Sequence, residues 1–132
     1  MSTQAKGTFE IKGTPLPADE PTDVLGAGRM AFHKQFSGDL QGTGVVSMIG
    51  LMDRELASGA YVALERITGT LMGRKGSFCL QHSSTMKRGV PEQHITVIPD
   101  SGTDELKGLS GSMVIDIVEK KHYYTFDLSF GE

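Results

Sequence analysis

The sequence contains a single cysteine, Cys79, no apolar run near the ~20 residues a membrane helix needs, and no cluster of Lys or Arg. One cysteine forms no internal bridge, so no disulfide framework supports the chain, and a reducing compartment, the cytoplasm, is expected. Met1 to Lys12 place no apolar run behind a basic start, so export and membrane insertion are not expected. A formal net charge of −3 with scattered basic residues offers no field to a phosphate backbone, which argues against nucleic acid as a partner. The histidines His33, His82, His94 and His122 show neither close ligand spacing nor a Cys or acidic neighbour of zinc type, so no metal site is expected, and no cofactor. Gly26-Ala27-Gly28-Arg29-Met30-Ala31 fits a dinucleotide pattern in letters only. It follows a proline-rich segment and opens an alternating strand, whereas the pattern needs a strand before it and a helix after it.

What the sequence has in quantity is glycine. Seventeen of 132 residues are Gly, and they fall between short alternating segments, as in an all-β chain with tight turns. About eight strands can be read this way: Gly7 to Gly13, Arg29 to Ser37, Thr43 to Met52, Ala60 to Leu71, Ser77 to Lys87, Gln93 to Ile98, Gly111 to Val118 and Lys121 to Phe130. Thr14 to Gly28, with Pro15, Pro17, Pro21 and the acidic pair Asp19 and Glu20, reads as a surface loop, and Pro99 to Ser110 as a connection with one helical turn at Asp104 to Leu109. No repeat or boundary divides the chain, so residues 1–132 are expected to form a single β-barrel domain that buries roughly two-thirds of its unfolded surface.

Two hairpins assign the faces. A turn at Gly73-Arg74-Lys75-Gly76 pairs Met72 with Ser77 and sets Leu71 beside Phe78, Ile67 beside His82 and Glu65 beside Ser84. The alternate face, with Arg66, Thr68, Thr70, Cys79 and Gln81, is more polar, so Glu65 and His82 point inward. A turn at Glu119-Lys120 pairs Ile117 with His122, Ile115 with Tyr124 and Met113 with Phe126, which turns His122 and Tyr124 inward too. The inner set is completed by Phe9, Ile11, Leu80, Leu128 and Phe130. This pattern suits an eight-stranded antiparallel closed barrel of lipocalin-like shape, with a two-sheet sandwich as the alternative. A carboxylate at Glu65 inside such a barrel costs several kcal/mol without partners, so hydration or a polar ligand group is expected beside it.

Four stretches carry a resemblance: Gly7-Thr8-Phe9-Glu10, Tyr61 through Leu71, Gly76-Ser77-Phe78 through Leu80-Gln81-His82-Ser83, and Pro99-Asp100-Ser101-Gly102-Thr103 through Glu105 to Gly111. Over nearly the whole chain the sequence resembles the small bacterial family known as domain of unknown function 3224. The resemblance implies an eight-stranded barrel of the allene-oxide-cyclase-like type, related in shape to plant cyclases and dirigent proteins, which hold reactive or apolar small molecules. It transfers no activity and no catalytic residue.

The ligand-facing candidates are therefore Glu65, His82, Ser84, His122 and Tyr124. Glu65 and His82 lie on neighbouring strands at a two-position offset, close enough for a hydrogen bond that could tune an acid/base pair or simply satisfy a buried carboxylate. Tyr124 could offer its hydroxyl to a ligand or serve as core. Cys79 faces away from His82 and lacks a base. Ser101-Gly102-Thr103 reads as a turn rather than an anion site. Outward-facing Val62, Leu64, Val114 and Val118 suggest barrel-to-barrel packing and hence a homo-oligomer. Three functions fit: a binding module for a small, largely apolar molecule, an isomerase or cyclase that confines a reactive substrate, and an interaction protein with a plain core.

Overall fold

The computed structural model describes residues 3–131. Its elements are β1 (Thr3–Leu16), α1 (Glu20–Leu25), β2 (Gly28–Gly38), β3 (Leu40–Asp53), β4 (Ser58–Leu71), β5 (Arg74–Lys87), β6 (Val90–Val97), a 3-10 turn (Asp104–Leu106), β7 (Leu109–Val118) and β8 (Lys121–Phe130). Each strand pairs antiparallel with the next and β8 returns to β1, so the sheet closes as an eight-stranded barrel, with the β6–β7 seam paired only at Ile95–Met113 and Thr96–Ser112. Among the described residues no helix is long and apolar enough to cross a membrane.

Three hairpins are closed by two residues of positive φ, Met72-Gly73, Arg88-Gly89 and Glu119-Lys120, the turn whose twist matches that of the flanking strands. The last has the register its sequence implies, with Ile117 opposite His122. The β4–β5 hairpin is tighter than the four-residue turn expected there. Leu71 pairs with Arg74, and the ladder runs on through Gly69 and Gly76, so Glu65 faces Leu80 rather than Ser84 and Ala63 faces His82. The displacement is four positions, and an even slip leaves every side chain on its face. Gly42 and Gly69 face each other on β3 and β4, and a Cβ on either would overlap the backbone opposite, so only glycine allows the two strands to approach this closely.

Two connections are more ordered than their sequences suggest. Thr14 to Leu16 extend β1 along β2, and α1 follows. Asp19 caps that helix by accepting from Thr22 N–H at 3.0 Å, Pro21 sits in its first turn and Gly26 ends it at φ 70°. Proline early in a helix is a start signal, and the proline-rich reading as loop overlooked it. After β6, Ser101 and Thr103 present their hydroxyls to the N–H groups of Cys79 and Ser77, both at 3.0 Å, so side chains continue the ladder that β6 has left. This seats the 3-10 turn, and with it Leu106, under the barrel. Leu109 and Ser110 already belong to β7.

The core occupies that end. Phe36, Leu40, Ile67, Leu71, Phe78, Leu80 and Phe126 are 0–2% exposed, and the Phe78 and Phe126 rings stack at 5.7 Å. Ile11 and Ile117, expected in the core, keep the inward register but are 37% and 65% exposed. They lie at the opposite end, where β1 pairing with β8 stops at Phe9 and His122. On the outer face Val62 and Leu64 are 53% and 59% exposed.

Candidate functional site

Midway along the barrel three charged or titratable side chains meet. Glu65 on β4 points inward beside Lys34 of β2 and His82 of β5, and one carboxylate oxygen, Oε1, serves both: Lys34 Nζ lies 3.1 Å away and His82 Nε2 2.7 Å away. With the carboxylate ionised, Nε2 carries the proton it donates. All three side chains are at most 5% exposed. Lys34 extends over the rings of Phe9 and Phe36, with Nζ 4.7 and 5.8 Å from their centroids, so the aromatic faces supplement the carboxylate in holding the buried cation. Glu65 Oε2 is buried with no hydrogen-bond partner among the described residues. It points at Gly44, where any larger residue would collide with it. The protein thus supplies the partners of Oε1 through Lys34 and His82.

Beyond this cluster the barrel opens. β2, β3, β4 and β5 enclose a cavity of about 280 Å³ whose walls are Met30, Met48, Met52 and Met86, with Tyr61 and Ser84 between them. The register explains the grouping. Met30 pairs with Met48, while Met52 and Met86 flank Gly59, which has no side chain to separate them. Gly28 and Gly50 also line the mouth and keep it from filling. Met52 is 51% exposed, and Met30, Met48 and Met86 are half-buried. Flexible, polarisable thioethers around an open apolar space adapt to guests of different shape.

Residues 5–128 match the family model described as protein of unknown function DUF3224. The chain belongs to this family. A crystal structure of a DUF3224 protein of unknown function from Shewanella oneidensis MR-1 is 40% identical, superposes with a TM-score of 0.91, and the match covers 100% of both chains. A search of the curated proteins finds no match.

Within this family member the sequence candidates separate into three places. Glu65 and His82 are brought together in the buried cluster. Ser84 lies two residues further along β5 and lines the mouth. His122 is half-buried on the other side of the barrel, its ring 5.1 Å from that of Phe9. Tyr124 sits toward the closed end, and its hydroxyl is engaged by the β2–β3 turn: it accepts from Leu40 N–H at 2.9 Å and can donate to the carbonyl of Ser37 at 2.9 Å or of Leu40 at 3.2 Å. Burial raises the Tyr124 pKa, with Asp39 adding to the rise and the Leu40 N–H opposing it. Lys34 was not among the candidates, although alternation along Met30, Phe32, Lys34 and Phe36 marks it as an inward lysine between aromatics. The methionines are equally legible as inward positions, but only the register shows that they face one space.

Proposed function

We propose that the chain binds one small, largely apolar molecule in the open end of its barrel, between the mouth methionines and the buried cluster. The observation that carries this reading is the methionine-walled cavity of about 280 Å³, lined on its inner surface by few polar groups. Such a space suits a compact hydrocarbon-rich guest, with Ser84 and the Tyr61 hydroxyl available to its polar end. The Lys34–Glu65–His82 cluster acts here as a polar septum that fixes β2, β4 and β5 beneath the guest. A catalytic role for Glu65 would require its carboxylate to reach the mouth, and its side chain is 0% exposed.

The test is native mass spectrometry of protein purified gently from its own host, followed by release and identification of small molecules. A parallel titration uses N-phenyl-1-naphthylamine, a compact apolar fluorophore. The expected result is one bound species per chain and saturable fluorescence displaced by that species. A bare polypeptide mass together with no saturable fluorescence would overturn the reading.

A further inference from the structure

Of the six described methionines four face the mouth, and their surroundings differ from those of the other two. Met113 is 2% exposed inside the barrel, whereas Met72 is 49% exposed in the β4–β5 turn, away from the cavity. The described methionines thus occupy three environments: walls of a pocket, sealed core and bare turn. Thioether oxidation follows access, so an oxidant entering the mouth meets Met52 first and then Met30, Met48 and Met86.

We propose that these four methionines form a reversible oxidation site that switches the pocket from apolar to polar and releases its guest. The chemistry needs a peroxide as co-reactant. Each sulfur donates an electron pair to one peroxide oxygen, the O–O bond breaks, a sulfoxide forms and hydrogen peroxide leaves as water. A thiol-dependent sulfoxide reductase reverses the step, with two thiols becoming a disulfide and the oxygen departing as water. The sulfoxide is a strong hydrogen-bond acceptor, and among the described residues the side-chain donors that the inward register turns toward the cavity are the hydroxyls of Tyr61 and Ser84. A wall of unpaired sulfoxides favours water over an apolar guest. This rests on the binding reading above and adds its regulation.

The experiment titrates N-phenyl-1-naphthylamine into the full chain before and after graded hydrogen peroxide, with peptide mass spectrometry reporting each methionine and circular dichroism reporting the fold. The comparison protein is the fourfold variant Met30→Leu, Met48→Leu, Met52→Leu and Met86→Leu, whose near-equal volumes preserve packing. The expected result is oxidation of the mouth methionines with Met113 spared and circular dichroism unchanged. Affinity should fall about tenfold or more and recover with sulfoxide reductase, whereas the leucine variant, measured against its own untreated affinity, should show no response to peroxide. Unchanged affinity with all four oxidised would overturn the switch while leaving the pocket intact, as would an equal loss in the leucine variant. Absence of binding in the untreated protein would overturn the pocket itself and the switch with it.

Discussion

The two ends of this barrel are built from the same strands and serve opposite purposes. At the closed end the inward positions hold Phe36, Leu40, Ile67, Phe78, Leu80 and Phe126, interlocked and nearly water-free, with Leu106 inserted beneath them by side-chain hydrogen bonds from Ser101 and Thr103. At the mouth the same alternation delivers glycines and methionines, and the space stays open. Strand pairing alone therefore does not decide whether a small barrel is plugged or hollow. The volume placed at successive inward positions decides it. The Lys34–Glu65–His82 cluster stands at the boundary, where neither bulk water nor hydrocarbon would solvate a lone charge.

The comparison breaks first if the ends prove equally costly to disturb. Phe78→Ala should cost about 3–5 kcal/mol, since it opens a cavity in a packed layer, whereas Met86→Ala at the half-exposed mouth should cost about 1 kcal/mol or less. Urea unfolding of both variants measures the difference, and similar losses would mean that the mouth is as tightly packed as the core. Next comes the boundary. Lys34→Met leaves the Glu65 carboxylate buried with only His82 beside it, and a loss of about 3 kcal/mol is expected. Replacing all three charged or titratable members by apolar residues of similar size should recover most of that loss, because the penalty belongs to the stranded charge rather than to a missing attraction.

Much of the architecture was legible because period-2 alternation is insensitive to even errors of register. Glu65 and His82 fall together on the inner face even though the β4–β5 turn is Met72-Gly73 and not Gly73 to Gly76. Their diagonal relation also survived, with His82 opposite Ala63 instead of Ile67. Three features were hidden. Lys34 comes from β2, and which partner a buried carboxylate finds across a barrel depends on shear, which a single strand does not encode. The Tyr124 hydroxyl meets the β2–β3 turn more than eighty positions away in sequence. The hollow at the mouth is a sum of small residues over four strands, visible only once Met52, Gly59 and Met86 are aligned.

Tyr124 sharpens the closed side of the comparison. Tyr124→Phe removes the acceptor for Leu40 N–H and the donor shared by the Ser37 and Leu40 carbonyls, at an expected cost of about 1–3 kcal/mol. The same residue supplies a pH dependence. Its folded pKa is raised by burial, so its contribution is whole below pH ~10, where the hydroxyl is protonated in folded and unfolded chains alike. Above that value the unfolded chain loses its proton first, and stability falls until the folded hydroxyl ionises too. Denaturant titrations across this alkaline range should show a shallower fall in Tyr124→Phe than in the parent; identical slopes would remove Tyr124 as a source of it.

The smallest expected change in stability falls at the mouth, and it isolates function from fold. Gly28 opens β2, lines the cavity, and has open space around the position a Cβ would take, with no left-handed backbone to oppose a larger residue. Gly28→Leu should therefore leave the unfolding free energy within about 0.5 kcal/mol of the parent or slightly above it, since leucine also loses less backbone freedom on folding. The added side chain enters the space bounded by Met30, Met48 and Gly50, so saturable fluorophore binding should weaken while the fold persists. The corresponding change at the closed end, Gly76→Leu, meets the Thr103 carbonyl at once and should destabilise the protein strongly. If Gly28→Leu binds the fluorophore as the parent does, the guest lies elsewhere and the openness of this end is not what the barrel uses.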